Sequence, residues 1–363
     1  MHREIGRHWG ERLGGLVVAG GLGIGLGLGI GLGACAERPS EPERTGAAAA
    51  AERAAARPSD GRVLLAWGSG SGALGYRAPG FERVAEGPSA LALAPDGSVL
   101  LLDRLAGRIA RVGAGGALET FASVPEDAED VAVGPDGAVL AWSPLRAQAW
   151  LFEPGGAAAG ELALSRSLRE VVGLELGTSR RVAARTAYQE LVDLGSPAAP
   201  TPLEVGLAGK REGAFVDDAG RGLAARVSGG TAELWVVRQA GPAATGAASS
   251  QGRRAEPVAR HAIPGAVDAA RVVGRSGDVA CLRLERVVAE PAVAVTRRAV
   301  CLDVGDGTLV LDVALPPPGT YLPRRELAVG PSGLVHARPT ADGLELVRHA
   351  LPAAALAHAE VSP

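Results

Sequence analysis

"ALALAPDGSVLLLDRLAGRIARV", residues 90–112, decides how the chain is read. Two short apolar runs flank Pro95-Asp96-Gly97, Asp103-Arg104 closes the second run, and a third follows Gly107. Short β-prone runs bounded by Pro-Asp-Gly and Gly read as strands joined by tight turns, because glycine supplies the positive φ that such turns need. The question is whether Asp103 and the arginines form a site or belong to a structural repeat.

The layout recurs in "DVAVGPDGAVLAWSPLRAQAWLFEPGG" (130–156) and "LAVGPSGLVHARPTADGLELVRHA" (327–350), with weaker copies from Val171, Ala214 and Ala270. The turn glycines are Gly97, Gly137, Gly177, Gly220, Gly277 and Gly333, spaced 40, 40, 43, 57 and 56 residues apart. The two long spacings coincide with an insertion at 240–257 and a long connection at 287–296. A period near 40 residues with three to four strands per unit predicts propeller blades. One small sheet cannot bury both of its faces; six arranged radially bury them against each other. The expectation is an all-β chain: a six-bladed β-propeller of four-stranded antiparallel blades over residues 62–351. "RVLLAW" (62–67) or the run near Phe81 is expected to supply the outer strand of the sixth blade, which leaves no open edge.

Composition agrees. The chain is 47% hydrophobic but only 3% aromatic, so its core is Leu, Val and Ala. Lys210 is the only lysine, and a net charge of −3 without a basic block gives no nucleic-acid footprint.

The N-terminus carries Arg3, Arg7 and Arg12, then the uncharged run "LGGLVVAGGLGIGLGLGIGLGAC" (13–35). Its end, Leu32-Gly33-Ala34-Cys35, resembles a bacterial lipobox. That resemblance implies a signal peptide over 1–34, cleavage before Cys35 and diacylation of the Cys35 sulfur. The run is also long enough for an uncleaved membrane span, with Gly21, Gly25, Gly29 and Gly33 on one stripe. Residues 35–61 are polar, Ala-rich and broken by proline, and read as a flexible tether; 352–363 form a C-terminal tail. The expected location is the bacterial cell envelope, lipid-anchored in the membrane and facing the periplasm or the cell surface. In an exported chain Cys281 and Cys301, in two strand-like runs, are a disulfide candidate; two buried thiols are the alternative.

The repeat resembles the NHL-type propeller unit. The first copy carries the likeness in Pro95-Asp96-Gly97, Asp103, Gly107 and Arg108, whereas the second has Ser143 and Gln148 in place of the last Asp and Arg. The stretch "AWGSGSGALGYRAPG" (66–80) is similar to exported bacterial propeller proteins with a Trp-Gly-Ser-Gly opening. Both resemblances imply a scaffold and no particular activity.

In such a blade the innermost strand precedes the glycine turn. Its start and the end of the next strand therefore lie on the opposite face. Ends of second strands carry Asp103-Arg104, Ser143, Arg185, Arg226, Arg283 and Arg338. Starts of inner strands carry Ala90, Asp130, Glu170, Glu212, Asp268 and Glu326. This predicts the pairs Glu170–Arg185, Glu212–Arg226, Asp268–Arg283 and Glu326–Arg338. They read either as intrablade ion pairs or as a ring of arginines for a carboxylate, phosphate or acidic peptide.

Asp103 and Asp130 lack a matching arginine in this scheme. Asp103, Glu129 and Asp130 are therefore candidate oxygen ligands for Ca²⁺ or Mg²⁺, as in six-bladed lactonases and lyases, although the chain contains no asparagine. No close histidine pair and no G-x-S-x-G elbow occur, so no catalytic residue is assigned. The expected function is non-catalytic and without a cofactor: binding an envelope protein, a peptide or a small anionic ligand on the propeller face. A divalent-metal-dependent lactonase or lyase, or a structural envelope module, are the alternatives.

Cys35→Ser is expected to move the chain from the membrane to the soluble fraction and to remove the lipid mass from its N-terminal peptide. Fractionation with intact-mass analysis checks this, and unchanged membrane retention would point to the uncleaved span.

Overall fold

The computed structural model describes residues 61–165, 171–216, 221–238, 257–289 and 292–351. The leader, Cys35, the tether to residue 60, the tail from 352, Glu170, Gly220 and nearly all of the 240–257 insertion lie outside these residues.

Six antiparallel sheets follow one another along the chain. Blade one is β2 (Leu91–Leu93), β3 (Val99–Asp103), β4 (Arg108–Val112) and β5 (Leu118–Ser123). Blade two is β6 (Asp130–Val133), β7 (Val139–Ser143), β8 (Gln148–Phe152) and β9 (Ala158–Ala163). Blade three is β10 (Val171–Leu176), β11 (Val182–Thr186), β12 (Glu190–Ser196) and the short β13 (Ala199–Pro200). Its outer edge continues through helix α1 (Leu203–Ala208) and β14 (Arg211–Glu212), which pairs with β12. Blade four is β15 (Phe215–Val216), β16 (Gly222–Ser228), β17 (Thr231–Val237) and β18 (Pro257–Ala266). Blade five is β19 (Ala269–Ser276), β20 (Val279–Val288), β21 (Ala294–Asp303) and β22 (Leu309–Leu315). Blade six is β23 (Leu327–Gly330), β24 (Gly333–Pro339) and β25 (Gly343–His349), completed by β1 (Arg62–Ala66). The pairing of β1 with β25 runs from Arg62↔Val347 to Ala66↔Gly343 and closes the ring. The run near Phe81 instead forms an excursion bridged at Arg77↔Glu86 and Gly80↔Arg83.

The 90–112 stretch shows why the ring holds. All five residues of β3 are buried, so neither sheet face is wet and the apolar run is continuous. The period of two then sorts them: Val99 and Leu101 pack towards blade six with Leu65, Val335 and Leu344. Leu100 and Leu102 pack towards blade two with Val131 and Val139. Turn glycines 97, 137, 277 and 333 take positive φ; at Gly177 φ is −91°, and Ser179 and Arg180 carry the positive φ instead. The 287–296 connection is largely strand: Val287 pairs with Val295 and Val288 with Ala294. Its β-branched residues extend the hairpin well beyond the usual blade length. Cys281 and Cys301 face each other across β20 and β21, are joined as a disulfide, and are fully buried beside Val279 and Leu351.

Asp103 has an arginine partner after all. It lies directly opposite Arg108, whose Nε donates to its carboxylate at 3.1 Å. Arg108 also reaches Ser71 O and Thr120 Oγ1, each at 3.2 Å, and Ala73 O. Asp103 accepts from the Gly75 amide at 3.1 Å. The buried pair thus docks the 67–75 segment onto blade one. A Cβ on residue 75 would sit 2.8 Å from Asp103 Oδ1, so that position requires glycine. Beside it Trp67 stacks on Tyr76 with ring centroids 4.8 Å apart.

Asp103→Asn is expected to cost about 3 kcal/mol, because it leaves the Arg108 guanidinium enclosed without its counter-charge. Urea unfolding of the two proteins measures this.

Candidate functional site

Strand directions define two faces. The inner-to-second-strand turns lie on one, here the turn face. The starts of inner strands and ends of second strands lie on the other, here the mouth face. β1 enters from the turn face, since Arg62 pairs beside Val347 near the far end of β25.

The central channel is filled with charge. From the segment before β23, Arg325 donates to Asp130 Oδ2 of blade two at 2.8 Å. Its neighbour Arg324 pairs with Glu129, donates to Val171 O of blade three at 3.0 Å, and lies over the Trp142 ring at 5.3 Å. Blades six and three stand opposite in a ring of six, so this arginine pair spans the opening. Deeper in, Arg185 and Glu175 are 3.1 Å apart, and Arg185 also stacks on Phe215 of blade four at 4.7 Å. A Cβ on residue 173 would fall within 3.0 Å of Arg185, Asp130 and Arg325 together, so Gly173 makes the room in which they meet.

Solvation is poor here. Burial pushes the Glu175 carboxyl up, against the pull of Arg185 and Arg325. Burial likewise pulls the Arg185 guanidinium down, against the field of Glu175. Glu175 Oε1 and Arg185 Nε and Nη1 are enclosed without a hydrogen bond in the protein.

The sequence-predicted pairs fare unevenly. Arg226 does pair with Glu212. Glu170 lies outside the described residues, and Arg185 takes Glu175. Arg283 does not take Asp268; it holds Glu285 at 2.9 Å and Glu326 of the next blade at 3.2 Å. Asp268 instead accepts from the Val287 amide at 2.7 Å. Arg338 lies 3.7 Å from Glu345, because Glu326 is claimed by Arg297 at 2.7 Å. Arg104 donates to Glu126 O, and Ser143 to Asp127.

The proposed metal ligands are not brought together. Asp103 is held by Arg108, Glu129 by Arg324 and Asp130 by Arg325. Among the described residues no group of three or more His, Cys, Asp or Glu side chains converges. A separate shallow cleft of about 310 Å³ lies between the 68–73 loop and Arg108, Thr120 and Ser123.

Arg324 and Arg325 are the residues that sequence reasoning misses. Their signal is the "PRRE" run (323–326) immediately before an inner strand, outside the two strand positions that the repeat aligns.

Fold and site together define a six-bladed β-propeller whose channel is bridged by ion pairs at the mouth face. No family model and no curated protein matches the sequence. Solved structures similar to it include a streptogramin B lyase (10% identity, 77% of this chain and 98% of that one, TM-score 0.39). Others are the PQQ-bound aldose sugar dehydrogenase of Streptomyces coelicolor (15%, 81% and 100%, TM-score 0.42) and a putative gluconolactonase (14%, 79% and 94%, TM-score 0.41).

Glu326 gives a pH test. Burial raises its pKa, but His336 at 3.7 Å, the hydrogen bonds from Arg297 and the fields of Arg297 and Arg283 outweigh that and hold it below the usual range. A depressed carboxyl stabilises the fold above the unfolded pKa of about 4.3 and loses that contribution as pH falls through the folded value. Glu326→Gln is therefore expected to cost about 3 kcal/mol at neutral pH, with the gap closing in acid. Denaturation across a pH series measures it.

Proposed function

We propose that this chain is a non-catalytic docking module of the bacterial cell envelope that receives a partner protein on its mouth face. The observation that carries the reading is an asymmetry of exposed apolar side chains. Of fourteen large ones among the described residues, nine stand on the mouth-face loops and strand ends: Phe81, Val84, Leu145, Tyr188, Val227, Val287, Val293, Val295 and Leu322. Leu309 lies on the turn face, and Leu64, Val205, Leu207 and Val258 on outer edges. Phe81, at the tip of the 77–86 excursion, is 95% exposed. Apolar residues gathered around one polar centre are the anatomy of an interface.

Two further features support the reading. The arginine bridge fills the opening where a catalytic funnel would need space and free acids. The buried disulfide suits an oxidising compartment.

Photo-cross-linkers at Leu145, Val293 and Leu309 test this in the intact envelope. One partner, identified by mass, is expected from both Leu145 and Val293 and not from Leu309. Equal capture from both faces, or capture from Leu309 alone, overturns the reading.

A further inference from the structure

The mouth face holds a guanidinium that belongs neither to the bridge nor to the ion pairs beside it. Arg271, on the inner strand β19, is exposed and makes no ion pair or hydrogen bond among the described residues. It lies directly opposite Arg283 in the β19–β20 register. Among the described residues, the charged groups that bear on it are Arg283, Arg324, Arg185 and Glu285. Each of the others is already engaged: Arg283 with Glu285 and Glu326, Arg324 with Glu129, Arg185 with Glu175. Arg271 is thus a cation among cations, with a free planar fork at the edge of the channel.

We infer that Arg271, flanked by Arg283 and Arg324, is the receptor for a single carboxylate presented by the docking partner. This rests on the docking reading and names the chemistry at its centre. A carboxylate matches the guanidinium fork with two parallel hydrogen bonds. A doubly charged phosphate fits less well, because Glu129 and Glu285 stand beside the same arginines and repel the second charge. The carboxylate belongs to an Asp or Glu side chain within a loop rather than to a chain end. Exposed apolar residues lie around the mouth on blade two (Leu145), blade three (Tyr188), blade five (Val293) and before blade six (Leu322). A segment covering them continues in both directions from the centre, which a terminus cannot do. Such a carboxylate also relieves the repulsion that, with burial first, pulls the Arg271 guanidinium down.

Protection from an arginine-selective dicarbonyl reagent tests the assignment on the full chain in detergent, with adducts mapped by mass spectrometry. N-acetylglutamic acid α-methylamide is the probe, and its uncharged isostere N-acetylglutamine methylamide the control, at matched ionic strength. The acid is expected to slow adduct formation at Arg271 about threefold or more relative to the amide. Arg83, exposed on the 77–86 excursion, should show no difference. Equal protection by the amide, equal protection at Arg83, or stronger protection by inorganic phosphate or by N-acetylleucine overturns the inference. The cross-linking result is independent of this outcome, so the docking reading and the carboxylate assignment fail separately.

Discussion

Five register pairs between β1 and β25 decide whether this molecule is a ring. Each blade exposes apolar side chains on both of its faces, so an unclosed array would leave two wet faces and two open edges. Closure by a strand from the beginning of the chain removes both. It also fixes the path of the next segment, which must cross the mouth face to reach blade one. The Asp103–Arg108 pair catches that segment at Gly75. The Trp67–Tyr76 stack fastens it close to Tyr321 of the connection before blade six. Ring closure, the aromatic latch and the mouth-face loops are therefore parts of one arrangement.

The second constraint is the middle of the ring. Inner strands of six blades approach one axis, and small apolar side chains alone would leave a gap there. This chain fills it with arginines and carboxylates drawn from blades two, three and six. Charges so poorly solvated contribute little net stability, since desolvation offsets much of their attraction. Their effect is on geometry. An arginine that reaches across the channel fixes the distance between opposite blades, as no contact within a blade can.

The fold is legible in the sequence because repetition multiplies a weak signal. One Pro-Asp-Gly turn between apolar runs says little; six copies, spaced 40 to 43 residues apart except where an insertion or a long connection intervenes, define blades. Closure by residues 62–66 is legible as one of two options, for the sixth copy ends a strand short. The ionic partners are not. Comparing equivalent positions assumes that each blade pairs within itself, and Arg226–Glu212 does so. Arg283, Arg297, Arg324 and Arg325 instead reach carboxylates on other blades, at distances set by the ring. A guanidinium on a long stem selects among several acids by three-dimensional proximity, which a spacing along the chain does not encode. Asp103 escapes the comparison for a simpler reason. Its partner Arg108 sits on the third strand: the first repeat copy carries both residues, but a search for acid–arginine pairs at the ends of the first two strands passes over it.

The direction in which β1 enters has a mechanical meaning. Tension applied at Arg62 and resisted by a partner seated on the mouth face would run along the axis of β1. Antiparallel strands pulled lengthwise load all of their shared hydrogen bonds together, whereas strands pulled sideways give way one bond at a time. The closing strand is thus oriented to bear shear, and the ring would transmit a pull from its N-terminal end across to its opposite face without unzipping.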